Sequence, residues 1–245
     1  MKTTPRLHLD AELEHQRELA LEREQAHYLS GVLRLSAGDP VSVFNARDGE
    51  WLAYLTEVTK KAVRIRCERQ VSAVTPPPDV DYCFAPLKHA RLDYVVQKAT
   101  ELGARRLKPV ITQRTIAERV NLDRMRANVI EAAEQCNLVF VPEVAEPVKL
   151  PRLLLQWEKD RALVYCDETA AIADPLAALK PLHAPAAVLV GPEGGFTEEE
   201  KALLKSLPFV TAISLGPRIM RADTAAVAAL TLVQAVLGDW HGNRE

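Results

Sequence analysis

Residues 186–200 read AAVLVGPEGGFTEEE, and their order decides the fold class. The apolar run Ala186 to Val190 is too short for a buried helix and suits a strand covered on both faces. Gly191, Gly194 and Gly195 follow within one loop, and then Thr197-Glu198-Glu199-Glu200, the spacing of a capping box that opens a helix. Strand, glycine loop and helix make half of a parallel unit, and the alternation continues in both directions. Upstream, YCFAPL (82–87) leads to a helix at 90–103 with Leu92, Val95, Val96, Ala99 and Leu102 at helical spacing, closed by Gly103. LKPVI (107–111) precedes a helix near 123–137, and ALVYC (162–166) precedes one near 173–180. Downstream, a helix starts at 198, and FVTAISL (209–215) runs into a last helix near 222–238. The pattern predicts an α/β domain with a mostly parallel sheet.

A different pattern fills the first third of the chain. VSVFN (41–45), EWLAYLTEV (50–58) and KAVRIRCERQV (61–71) alternate apolar with polar residues, with turn signals at Arg47-Asp48-Gly49 and Thr59-Lys60. These are strands of a small barrel, preceded by a helix around Gln25 to Leu35 and a turn at Gly38-Asp39. Thr75-Pro76-Pro77-Pro78-Asp79 continues neither a helix nor a central strand and acts as a stiff spacer. The expected domains are therefore residues 1–75 and 76–245.

With 245 residues, 48% of them apolar and 26% charged, the chain can bury a sizeable core and is no disordered tail. The start, MKTTPRLHLDAELEHQRE, lacks the basic and apolar regions of a secretory signal, and the expected location is the cytoplasm. The longest nearly apolar run, Ala225 to Gly238, includes Thr231 and Gln234 and falls short of the ~20 residues a membrane span needs. Cys67, Cys83, Cys136 and Cys166 are widely separated, so neither a disulfide framework nor a metal site is expected. The net charge of −2 conceals an asymmetry: residues 88–126 hold 10 basic and 4 acidic side chains, enough to attract phosphate if they share a face and otherwise a set of solvated helix faces. The last helix is apolar on nearly every side, which one sheet face cannot cover; a second subunit is expected against it.

Ligands of open α/β sheets collect beyond the carboxyl ends of the strands. Two loops stand out there. In Gly191-Pro192-Glu193-Gly194-Gly195-Phe196 the glycines let backbone approach a flat ligand, and Glu193 places a carboxylate inside the loop. In Leu215-Gly216-Pro217-Arg218-Ile219-Met220-Arg221-Ala222-Asp223-Thr224 two arginines precede a helix N-terminus that already favours an anion, with Asp223 or Thr224 as the expected N-cap. Neither loop is GxGxxG or GxxxxGK[ST], so a dinucleotide site and a P-loop lack their signature.

GPEGGF and LGPRIMRADTA, with KHARLDYVVQKATELGARRLKPV and EAAEQC upstream, resemble the ribosomal small subunit methyltransferase E family of the SPOUT class. HYLSGVLRLSAGDPVSVFN is similar to that family's PUA-like RNA-binding barrel. The resemblance implies a mostly parallel sheet with a C-terminal trefoil knot, a homodimer, and S-adenosylmethionine as methyl donor. It implies a donor site at Cys166, Val190, Gly191, Pro192, Glu193, Gly194, Gly195, Leu215, Gly216, Ile219, Met220 and Arg221. The implied substrate is 16S ribosomal RNA or the small subunit, methylated at N3 of a uridine in the decoding region. Candidate RNA contacts are Arg34, Lys88, Arg91, Lys98 and Arg114. The chain departs from the family pattern at Asn137-Leu138, where glycine and arginine are usual, and at Asp223, where glutamate is commoner.

Uracil N3 lies on the pairing edge, so the base must be unpaired or swung out before a methyl group reaches it. Loss of its proton spreads negative charge onto O2 and O4, which a guanidinium from Arg221 or Arg218 would stabilise. The base is Glu193, Asp223, water or a group of the other subunit. The alternative is a non-catalytic RNA-binding factor on the same scaffold, for which Asn137-Leu138 is the hint; a nucleotide-dependent oxidoreductase lacks its fingerprint.

Overall fold

The computed structural model describes residues 4–59, 62–88, 90–117, 119–170 and 174–240. Lys60 and Lys61 at the expected hairpin turn, and Ala173 at the start of an expected helix, lie outside these residues. The chain forms two compact units: Met1–Pro76 with Ala133–Val141, and Pro77–Ala132 with Pro142–Glu245.

In the first unit β1 (Arg6–His8), β2 (Glu18–Ala20), β3 (Pro40–Asn45), β4 (Gly49–Val58) and β5 (Val63–Ser72) form one sheet in the order β1-β3-β4-β5-β2. Period-two alternation turns Ala53, Leu55, Val63, Ile65 and Cys67 into a core closed by Leu7, Leu9, Leu13 and Leu29. The helix expected over Gln25 to Leu35 is shorter and starts earlier: α1 covers Arg23–His27 and continues into one wider π-type turn, Tyr28–Val32. Arg34 then takes φ 56°, a left-handed conformation that ends the helix before Leu35. Arg6 ties this unit together: its guanidinium grips Glu50 at 2.9 and 3.0 Å and donates to the carbonyls of Ala133, Glu134 and Leu138 at 3.0 Å.

The second unit holds β6 (Val80–Phe84), β7 (Arg106–Ile111), β8 (Glu143–Val144), β9 (Val148–Lys149), β10 (Ala162–Cys166), β11 (Ala186–Val190) and β12 (Val210–Ile213). Their order is β12-β10-β11-β6-β7-β8, with β9 on β7, and every pairing is parallel. The helices are α2 (Ala90–Glu101), α3 (Leu122–Gln135), α4 (Leu150–Leu155), α5 (Pro175–Leu179), α6 (Glu198–Lys205) and α7 (Ala222–Leu237). At the amino ends of the strands the fully buried Asp81 is gripped by Arg106 and Lys108, each at 2.8 Å, with Arg161 at 3.7 Å. α7 buries Ala225, Ala226, Ala229, Leu230 and Val233 and leaves Val227, Ala228, Thr231, Leu232, Ala235 and Val236 half-buried. Among the described residues no helix is long and apolar enough to cross a membrane.

Candidate functional site

The sheet order makes the site. β10 lies between β11 and β12, with Tyr165 paired to Leu189 and Cys166 to Ile213, so the loops leaving these three strands emerge side by side. Between them lies a cavity of about 240 Å³. Cys166, Val190, Gly191, Pro192, Glu193, Gly195, Leu215, Gly216, Arg218, Ile219, Met220 and Arg221 all line it. Gly194 is the exception: it is exposed, and its carbonyl accepts from Arg114 Nη1 at 2.8 Å.

Local sequence explains the loop shapes. Gly195 and Gly216 adopt φ 67° and 103°, which residues with a Cβ rarely adopt. The capping box forms as its spacing requires: Thr197 Oγ1 accepts from the Glu200 amide at 3.3 Å, and the Glu200 carboxylate accepts from the Thr197 amide at 3.0 Å. Glu200 also accepts from the Gln113 amide at 2.8 Å, fastening the loop after β7 to the start of α6. For α7 the expected N-cap is corrected. The helix begins at Ala222 with Arg221 at the cap position and no side-chain cap, while Asp223 lies inside the first turn. Asp223 instead accepts from the next amide, that of Thr224, at 2.8 Å. Ala222 and Ala225 line the cavity, so the N-terminal turn of α7 opens onto it, where its free N–H groups favour acceptor atoms.

The cationic candidates separate. Arg91 spans the two loops, with Nη1 3.5 Å from Glu193 and Nε 3.9 Å from Asp223. Lys98 is held by Glu101 at 2.6 Å and lies 5.8 Å from the Tyr94 ring centre. Lys88 is exposed. Arg34 belongs to the first unit and is exposed there. The basic stretch does not form one free face: Arg105, Arg106, Lys108, Arg124 and Arg126 are ion-paired with Asp79, Asp81, Asp93, Asp123 and Glu158. Arg218 and Arg221, by contrast, make no ion pair among the described residues and stand exposed at the cavity mouth.

Further lining residues carry no glycine signal and were not anticipated, among them Tyr165, Asp167, Glu168 and Lys201. The rule that searches strand ends, applied to β10, reaches the first three. Burial alone would raise the Asp167 carboxyl, but Lys205 at 2.7 Å and two hydrogen bonds from Thr169 hold it below its ordinary value. Burial pushes the Cys166 thiol up to about 12, which keeps it neutral and a poor nucleophile at pH 7. Burial also raises the Tyr165 phenol, with the nearby Asp167 and Glu168 carboxylates adding to the shift.

The family model described as RNA methyltransferase domain matches residues 75–234, and one described as RNA methyltransferase PUA domain matches residues 21–67. The ribosomal RNA small subunit methyltransferase E of Synechocystis sp. is 32% identical over 89% of this chain and 73% of its own length. The chain belongs to the ribosomal RNA small subunit methyltransferase E family. The family member of Rickettsia conorii is 29% identical over 94% of both chains. The crystal structure of the family member of Neisseria gonorrhoeae, bound to S-adenosyl methionine, superposes with a TM-score of 0.88 at 26% identity, covering 97% of this chain and 100% of that one. A Legionella pneumophila structure with the bound cofactor SAM gives 0.84 at 29%, covering 97% and 99%. Asn137, one departure from the family pattern, adopts φ 57°. Asparagine tolerates this left-handed position better than other residues with a side chain, so it meets the demand glycine meets elsewhere.

Proposed function

We propose that this chain is an S-adenosylmethionine-dependent methyltransferase that modifies N3 of a uridine in 16S ribosomal RNA, acting in the cytoplasm as a homodimer. One observation carries the reading: the loops after β10, β11 and β12 border one cavity, in a chain similar to two proteins whose structures were solved with this donor. The lining fits such a molecule. Val190, Leu215 and Met220 offer apolar surface for a flat base, the glycines bring backbone polar groups within reach, and the first turn of α7 adds free N–H groups. The trefoil threading of the final segment implied by the family resemblance belongs to the same reading.

The donor, when bound, supplies a methyl group activated on a sulfonium. What remains for the protein is alignment, proton removal and charge stabilisation. Arg218 and Arg221 would supply the last of these, since neither makes an ion pair among the described residues and both line the cavity with exposed side chains. Arg91 and Arg114 are engaged with Glu193, Asp223 and Gly194, and serve to hold the loops. The proton acceptor is Glu193, Asp223, water or a group of the second protomer. Exposed cations, Arg34 and Lys88 among them, supply the sequence-independent attraction for phosphate. The half-buried apolar stripe of α7, Val227 to Val236, is the surface a second protomer would cover.

The experiment is methyl transfer from labelled donor to 16S ribosomal RNA, with the product read by reverse transcription, because an N3 methyl group blocks pairing. Arg221→Ala should lower the rate at saturating donor while leaving donor affinity within a few-fold. Full activity in that variant removes its role, and absence of transfer with all RNA forms supports the non-catalytic binding factor. Sedimentation of the chain and of Leu232→Asp tests the dimer: only the variant should run as a monomer.

A further inference from the structure

Charged side chains line the donor cavity, and most of them already have a counter-charge. Asp167 meets Lys205 at 2.7 Å, Lys201 meets Glu198 at 3.1 Å, and Glu193 meets Arg91 at 3.5 Å. Arg218 and Arg221, after β12, make no ion pair among the described residues, and neither does Glu168, on the loop after β10. Glu168 is exposed and enters no hydrogen bond among the described residues, so it is the lining carboxylate left over for a ligand. One of its oxygens is placed against the glycine loop: Oε1 lies 2.8 Å from where a Cβ on Gly195 would stand. The Gly195 amide does not hold it there, since that amide donates to the Pro192 carbonyl at 2.9 Å. Both residues line the cavity, and the missing side chain at Gly195 leaves the carboxylate its room beside the loop.

S-adenosylmethionine carries a sulfonium, an α-ammonium and an α-carboxylate, and so one net positive charge. Its carboxylate is well provided for, by the guanidinium groups of Arg218 and Arg221 and by the first turn of α7. Its cationic groups are not: left to themselves, two arginines without counter-charge would repel them. Resting on the donor-binding reading above, we infer that Glu168 is a specificity residue for the methyl donor, its carboxylate offsetting the positive charge of that molecule. Gly195 then has a second reason to be glycine besides its φ, since a side chain there would occupy the place of the Glu168 carboxylate.

Glu168→Gln keeps the shape of the side chain and removes its charge. Because the residue is exposed and unpaired, the melting temperature without donor should not move. In calorimetry S-adenosylmethionine should bind roughly 10-fold more weakly than to the unmodified chain, the lower end for a contact between charged groups. The loss should shrink as salt is added, as a charge effect must. Two further ligands locate the charge. S-adenosylhomocysteine keeps the ammonium but has a neutral thioether: an equal loss with it assigns the ammonium, a smaller loss assigns the sulfonium, and either result supports the inference. Methylthioadenosine keeps the ribose and carries neither cation, so its affinity should be the same for both chains. Unchanged affinity for S-adenosylmethionine in Glu168→Gln, or an equal loss with methylthioadenosine, overturns the inference while leaving the donor site standing. Failure of the unmodified chain to bind S-adenosylmethionine overturns both.

Discussion

Replacing Gly191 by alanine tests the glycine loop at its tightest point. A Cβ there would lie 2.6 Å from Phe196 Cε2 and 3.0 and 3.1 Å from two further ring atoms. Ordinary carbon contacts are about 3.5–4.0 Å, so the ring or the loop must give by roughly 1 Å. The ring has little freedom: Phe196 is 3% exposed and packed against Tyr165. Overpacking of this kind costs about 1–3 kcal/mol. For a chain of this length that lowers the melting temperature by roughly 2–12 °C. If the loop moves instead, the same free energy falls on donor binding, a loss of roughly 5- to 150-fold. Gly194→Ala is the internal control. Its nearest neighbours, on Arg114, would be 3.6 Å away, ordinary contact, and it lies outside the cavity lining. Thermal melts and calorimetry on both variants decide the matter. Gly191→Ala with unchanged melting and unchanged affinity, or Gly194→Ala equally impaired, would refute the account of which glycine the site needs.

Three other perturbations follow from the structure. Arg6→Ala strands Glu50, whose side chain is 15% exposed, together with the carbonyls of Ala133, Glu134 and Leu138; it should cost about 3–5 kcal/mol in denaturant unfolding, and a loss below about 1 kcal/mol would contradict the role given to this residue. Asp48 is drawn down to about 2, first by its hydrogen bond with Arg47 and then by those from Leu13 and Asn45, so its contribution to stability is present above the ordinary value near 3.8 and is lost as pH falls through about 2. Asp48→Asn should flatten the acid limb of the stability profile over that window, and an unchanged limb counts against it. Mass spectrometry after brief alkylation at pH 8 should find Cys136, which is exposed, modified first and Cys83 and Cys166, both with thiols pushed up to about 12, unmodified; early labelling of Cys166, which is half-buried on the cavity wall, would overturn its neutral state.

The second unit was largely legible in the sequence because its longer strands are continuous apolar runs, two of them, β11 and β12, leading into glycine loops, and because Thr197 caps α6 and Asp174 caps α5. ALVYC and AAVLV became β10 and β11 residue for residue. What escaped was short. β1 and β2 have three residues and β8 and β9 two, too few for any period to show. α4 has six residues, LPRLLL, and its one signal, a proline in the first turn, was available. The donor cavity was visible where glycine marked it and hidden where it did not. Tyr165, Asp167 and Glu168 lie just beyond or at the end of β10, whose loop has no glycine, and only the sheet order places that loop between the other two. The surplus of cations between residues 88 and 126 could not be read either way from the sequence, since half of those side chains, Arg91, Arg105, Arg106, Lys108 and Arg124, meet carboxylates that lie far away along the chain.

Asp81, clamped by Arg106 and Lys108 beneath the sheet, has a use for anyone who wants a sturdier protein. Clusters of buried charges of this kind can be exchanged for apolar residues of matching volume with no loss, and often a gain, in folding free energy. Because this one sits at the opposite end of the strands from the three loops, a redesigned trio there would alter heat tolerance and leave turnover as it was. Ruggedness and chemistry are wired to separate ends of one sheet, and each can be adjusted without consulting the other.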